Sequence, residues 1–322
     1  MKLGIIGAGK NSFFHLEAAK YLGFSTQALL YKNNRKRAEQ VAGAFDISFV
    51  YSDIKKFKEI EVDAYVISST ADSLFHIYKE LWELDKPMLV EKPLTRQIKT
   101  LSTIPKNIES KTIVGLNRRH YASTQRFKNF VIGNPIGSFS FHVPENSWGQ
   151  NWKSKDFLEN LYENMIHSID LMLYVFGLKN DDIKYFQVNH SNRAVSSILL
   201  GIRNASIQGS YLSTFGSPSN YVLEYFTEKA KVTMNPLEHF RMFDQLELIE
   251  PSEDFPIRRY LPKSSTEFKI DIEDSKFKPG FVRQLSHLYE LTTNGNIPKE
   301  SARIQDLRES LEILNRIERE IS

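Results

Sequence analysis

The stretch MKLGIIGAGKNSFFH, residues 1–15, decides the fold. The apolar run Leu3–Ile6 has strand length, Gly7 and Gly9 follow it directly, and apolar residues at helical spacing begin at Phe13. A glycine turn between a strand and a helix presents backbone N–H groups and the positive end of the helix dipole, which is where a dinucleotide pyrophosphate sits. The usual third glycine position is Ser12, small enough to let helix and strand approach. A Gly-x-Gly alone fits a plain tight turn equally; its place in a strand-turn-helix context at the head of the chain favours dinucleotide binding.

Working outward, strand-like runs recur at Thr26–Leu30, Ala64–Ile67, Met88–Val90 and Thr112–Val114. Helical patterns lie between them at Phe13–Leu22, Lys36–Phe45 and Ser73–Leu84. This alternation predicts a doubly wound parallel sheet, an α/β Rossmann domain spanning residues 1–119. Beyond it the pattern changes. A long amphipathic helix at about Asp156–Phe176 precedes strand-like runs at Lys184–Asn189, Ser196–Arg203, Ser206–Leu212, Tyr221–Phe226, Leu246–Ile249 and Glu267–Ile272. Strands without intervening helices predict an open, mostly antiparallel sheet, so residues 120–322 read as a second, α+β domain. Helical spacing returns at Phe281–Leu291 and Ile304–Ile321.

Composition narrows the function. The 322 residues carry 42 Lys and Arg against 39 Asp and Glu, a formal charge of +3 with the basic residues scattered, which argues against nucleic acid or a membrane surface as partner. No cysteine means no disulfide, thiolate nucleophile or cysteine metal site, in keeping with a reducing compartment. No uninterrupted apolar run of about eighteen residues is present and the N-terminus opens on a strand, so a cytoplasmic protein without signal peptide or membrane span is expected.

Two further stretches carry chemistry. After the second strand, YKNNRKRA places Lys32 where a site for unphosphorylated ribose has an acid, followed by Asn33, Arg35 and Arg37. A carboxylate there would repel a 2′-phosphate and these side chains can pair with it, so NADP(H) is favoured over NAD(H). Lys36 and Arg37 equally fit a solvated helix face. In FLENLYENMIHSIDLMLYVFG, Glu163, His167 and Asp170 share one helical face within about 60° of arc. Histidine beside a carboxylate is a natural proton carrier near neutral pH. A solvated face is the plainer reading of the stripe, and two possible ligands without a third do not make a metal site.

In order and spacing, GIIGAGKNSFFH, VDAYVISST, VEKPLT, VGLNRRH and ENMIHSIDLMLYVFG resemble the Gfo/Idh/MocA oxidoreductases. The SST turn, VGLNRR and YENMIHSID are most similar to the MviM-like branch, and GFVRQLSHLYELTTNGNIP resembles the family's late helix. The resemblance implies a nicotinamide site between a Rossmann domain and an open sheet whose exposed face commonly makes homodimers. It implies a cofactor held by Gly7, Gly9, Lys10, Asn11, Lys32, Asn33, Arg35, Ser69, Thr70, Glu91, Lys92 and Arg119. Lys92, at the mouth of a buried strand and fixed by the proline that follows, would stabilise developing charge on a substrate oxygen, with Glu91 positioning it. His167 matches the catalytic histidine, Glu163 stands where members usually have aspartate, and Asp170 matches an acid that anchors the helix. The implied reaction is hydride transfer between nicotinamide and a secondary alcohol or ketone of a sugar-like or polyhydroxylated small molecule.

There are departures from the family. Phe157, Leu158 and Glu159 occupy a stretch where members often have consecutive glycines, and the common Thr-Pro-Asn turn reads Ser69, Thr70, Ala71, with Leu74 at a common histidine position. Trp148 and Trp152, before the helix, are candidates to stack on a sugar face and equally fit packing within a lid. These changes leave a second class open, a non-catalytic NAD(P)-binding sensor on the same fold, and a third, redox-neutral chemistry on a tightly held cofactor.

Overall fold

A computed structural model describes residues 1–145, 157–191 and 194–321, and the chain divides into two compact units. The first comprises Met1–His120, Leu161–Asp170 and Ile272–Asn315. Its strands are β1 (Lys2–Ile6), β2 (Ser25–Leu30), β3 (Phe49–Tyr51), β4 (Ala64–Ile67), β5 (Met88–Val90) and β6 (Thr112–Val114). They form one parallel sheet in the order β3-β2-β1-β4-β5-β6. Strands β4, β5 and β6 are buried at every residue, as expected where both faces are covered, and this is why they read as continuous apolar runs.

The crossover helices are α1 (Lys10–Tyr21), α2 (Arg35–Ala44), α3 (Ile54–Lys58) and α4 (Ala71–Glu80). Asn34 caps α2, its side-chain oxygen accepting from the Arg37 backbone N–H at 2.9 Å. The late helix Phe281–Asn294 belongs to this unit. Its Phe281, Leu285, Leu288 and Leu291 share one buried cluster with Leu16 and Ala19 of α1 and with Ile113. The edge strand β3 escapes the sequence pattern because it has only three residues, and none is fully buried.

The second unit comprises Tyr121–Asn160, Leu171–Asp271 and Arg316–Ser322. Its strands are β7 (Gly137–Glu145), β8 (Ile183–Ser191), β9 (Ala194–Arg203), β10 (Ile207–Phe215), β11 (Val222–Phe226), β12 (Lys231–Met234), β13 (Phe240–Ile249) and β14 (Arg259–Phe268). They form a sheet ordered β14-β13-β12-β11-β7-β10-β9-β8. Every neighbouring pair is antiparallel except β7 with β10. The expected α/β plus α+β architecture is therefore present.

Its details differ from the sequence reading. Gly137 and Pro144 disguise β7 as a loop, yet Phe139, Phe141 and Val143 alternate inward and place it mid-sheet. Glu267 and Phe268 end β14, and Ile272–Lys276 is helical instead of continuing a strand. The long helix is not uniform either. Leu161–Met165 forms a π-helical turn between Phe157–Asn160 and Ile166–Phe176, so strict 3.6-residue spacing does not carry from Glu163 to Asp170.

Candidate active site

Gly7 ends β1 at φ +105°, and a Cβ there would lie 2.3 Å from the Ser68 carbonyl oxygen, so both conformation and space demand glycine. Its N–H bonds the Leu30 carbonyl of β2 at 2.8 Å, drawing the loop toward the end of that strand. The result is a cleft of about 440 Å³ at the carboxyl ends of β1, β2 and β4, the ligand position of a doubly wound sheet. Gly7, Ala8 and Gly9 line one wall, Tyr31, Lys32, Asn33 and Arg37 another, and Ser69, Thr70 and His76 a third.

The residues fit a dinucleotide. Ser69 Oγ is buried without a hydrogen-bond partner among the described residues and can both donate and accept. Thr70 Oγ1 lies 3.1 Å from Ser73 Oγ. Arg37 crosses the cleft mouth, its Nε donating to the Ala8 carbonyl at 2.5 Å, and so joins the glycine loop to the region following β2. Arg35 instead pairs with Glu39 at 2.7 Å on the outer surface and does not line the cleft. Lys10 and Asn11 occupy the exposed first turn of α1, outside the cleft wall.

The strand end β5 carries the second part. Glu91 is buried, its Oε1 at 2.9 Å from His15 Nε2 of α1, and its N–H donates to the Ile67 carbonyl. The next peptide, Lys92–Pro93, is cis. Lys92 Nζ donates to the Glu163 backbone carbonyl at 2.6 Å, bringing the lysine to the helical turn that leads into His167. Glu163 thus meets Lys92 through its main chain. His167 is held well below the ordinary histidine range, first by burial and then by Lys92, Arg118 and Lys278, so its imidazole is neutral at pH 7. Its Nδ1 is buried with no hydrogen-bond partner among the described residues.

Arg119 lies elsewhere. It is buried, donates from Nε to Asp170 at 2.8 Å, pairs with Asp306 at 3.2 Å and does not line the cleft. Its neighbour Arg118 is the one that bears on His167. Two adjacent arginines in a 3-10 turn point to different surroundings, which a sequence pattern does not resolve. Trp148 and Trp152 lie outside the described residues. Among the described residues no cluster of three or more His, Asp or Glu is placed to hold a metal, and no helix is long and apolar enough to cross a membrane.

The cleft lies where a doubly wound sheet takes a nucleotide, and Lys92 at the end of β5 reaches the helical turn that leads into His167. Residues 1–116 match the GFO_IDH_MocA family model, described as an oxidoreductase family with an NAD-binding Rossmann fold. No curated protein matches the sequence.

Solved structures resemble the chain over its whole length. A dehydrogenase (MviM) from Clostridium difficile superposes with a TM-score of 0.80 at 16% identity, covering 99% of each chain. UDP-N-acetylglucosamine 3-dehydrogenase from Acidithiobacillus ferrooxidans gives 0.74 at 14% identity, covering 98% of this chain and 96% of its own. A levoglucosan dehydrogenase complexed with NADH and levoglucosan gives 0.75 at 14% identity, covering 100% and 98%. At these identities the likeness establishes the fold.

Proposed function

We propose that the protein is a dehydrogenase acting at a secondary alcohol or ketone of a sugar-like or polyhydroxylated small molecule. The observation that carries this reading is the Lys92–Glu163 hydrogen bond, which sets an ammonium group beside the turn of a half-buried, neutral histidine. Bound nicotinamide supplies the hydride chemistry. Lys92 stabilises charge developing on the substrate oxygen, because a fixed cation in a partly dry site needs little reorganisation as that charge appears. His167, unprotonated, accepts the hydroxyl proton in oxidation and returns it in reduction. Glu163, four residues before His167, is assigned the orienting acid, and Trp148 and Trp152 are assigned to the substrate side. Two of the similar structures belong to enzymes named for sugar substrates, which supports the substrate class.

NADP(H) is favoured over NAD(H). Lys32, Asn33 and Arg37 line the cleft at the end of β2, and the acid in the wall, Glu80, comes from α4. Pairing of two copies through the open sheet and a cytoplasmic location complete the reading, supported by exposed Tyr185, Phe226 and Leu246 on that sheet and by the absence of cysteine.

The test is a titration of the purified protein with NADPH and NADH, followed by nicotinamide fluorescence, in wild type and Lys32→Ala. Tighter NADPH binding that weakens in the variant, with NADH little changed, supports the phosphate site. Binding of neither nucleotide removes the reading.

A further inference from the structure

His15 stands outside the cleft wall and touches no residue assigned a chemical role except Glu91. It is 1% exposed in the middle of α1, the helix that opens at the glycine loop. Burying an imidazole and a carboxylate costs free energy unless they satisfy one another. Here they do, with Nε2 to Oε1 at 2.9 Å. A carboxylate only accepts, so Nε2 carries a proton, while Nδ1 is buried without a partner among the described residues. The Phe281 ring packs on the imidazole at 4.5 Å and fixes its plane.

The far side of Glu91 is equally constrained. A Cβ on Gly115 would lie 3.1 Å from both the Glu91 Cα and Oε2, so β6 closes against it. The Lys92 N–H faces Oε2 at 3.4 Å, and the Glu91 N–H is held by Ile67 at 2.9 Å. The carboxylate thus accepts from the Lys92 backbone N–H on one oxygen and from His15 of α1 on the other.

We propose that His15 is a positioning residue for Lys92, acting through Glu91 and linking the cofactor-loop helix to the lysine. The proposal rests on the reading that Lys92 acts on the substrate. In this arrangement, displacement of α1 at the glycine loop is transmitted along one helix to the Lys92 backbone.

The test compares wild type, His15→Leu, His15→Asn and His15→Gln. Leucine removes the donor, asparagine places its amide short of Glu91, and glutamine returns an N–H near the Nε2 position. The first readout needs no substrate: the rate at which an amine-reactive acetylating reagent labels Lys92, followed by peptide mass spectrometry with Lys111 as internal reference. Loss of one ordinary hydrogen bond predicts labelling about fivefold faster in the leucine and asparagine variants, with glutamine near wild type. In parallel, turnover on the best sugar of a ketose and alditol panel falls in kcat with little change in KM for nucleotide, and glutamine restores it.

Unchanged Lys92 labelling in His15→Asn or His15→Leu, with near-ultraviolet circular dichroism intact, overturns the proposal. So does an equal loss in the glutamine variant. If wild type binds no nucleotide while the labelling follows the expected order, the oxidoreductase reading fails and the clasp stands.

Discussion

Lys92 Nζ and the Glu163 carbonyl oxygen are 2.6 Å apart, although 71 residues separate them in sequence. The contact brings the end of β5 to the turn preceding His167. It also gives the ammonium a fixed direction, which a surface lysine lacks. Replacing Lys92 by methionine keeps most of the side-chain volume and removes the charge. Turnover is expected to fall about 10²–10³-fold, the usual cost of removing one charge-stabilising donor, with nucleotide affinity changed about threefold or less. Steady-state kinetics beside fluorescence titration checks both halves.

His167 sets the pH dependence of the proton step. Its folded pKa lies below the ordinary histidine value, through burial and then through Lys92, Arg118 and Lys278. Oxidation should therefore stay flat as pH falls through about 6.5, the unperturbed value, and decline only at lower pH. In Lys278→Gln one of the three cations is lost and the imidazole should titrate closer to its ordinary value. Long-range ¹H–¹⁵N NMR of the ring measures this directly, and an unchanged titration would remove Lys278 from the site.

Stability follows the same sign. His120 is buried beside His287, Arg119 and Arg283, and burial first, then these charges, hold it well below the ordinary histidine range. For a group whose folded pKa is depressed, the unfolded chain takes up the proton first. The stabilisation is complete above the unfolded value and is lost as pH falls from there toward the folded value. Since His120 and His167 share this behaviour, the midpoint of thermal unfolding should drop between about pH 7 and pH 5. A flat profile across that window would contradict the depressed titration of both rings.

The Arg119–Asp170 pair makes a separate claim about the brace. Arg119→Met removes the charged partner of the buried Asp170 carboxylate, and breaking such a pair costs about 3–5 kcal/mol. Urea unfolding should show that loss, while nucleotide binding by the remaining folded protein stays near wild type. A large loss of nucleotide affinity without loss of stability would make Arg119 a nucleotide contact instead of a brace.

How much of this was legible follows from which signals are local. Gly7, Gly9 and the buried runs of β4, β5 and β6 announce the doubly wound sheet because turn geometry and two-sided burial both leave marks in sequence. Lys92 and His167 stood out through their motifs. The division of labour between Arg118 and Arg119 did not, since it depends on Asp170 and Asp306, which come from distant parts of the chain. The same holds for Arg37, which a helical pattern reads as solvated and the fold turns toward Ala8, and for Arg35, which pairs with Glu39. Strand β7 was hidden by Gly137 and Pro144, and its alternation becomes meaningful only once β10 and β11 flank it.

The phosphate-side cleft yields its own expectation. Arg37→Ala removes the contact to Ala8 and one of the cations at the end of β2. NADPH affinity should fall about tenfold, the scale of a charge-assisted hydrogen bond, and NADH affinity by less. Equal losses for the two nucleotides would make Arg37 a loop brace with no phosphate role.

Wild type and His167→Asn are compared side by side for nucleotide binding by fluorescence and for nicotinamide absorbance change across ketoses, alditols and keto-sugars. If His167 carries the proton, both proteins bind nucleotide, wild type turns over at least one of these compounds, and His167→Asn loses that turnover by about 10²-fold or more. Equal turnover in the two proteins, or tight binding with no hydride transfer to any compound and no effect of His167→Asn, would contradict it and favour a nucleotide sensor on the same fold.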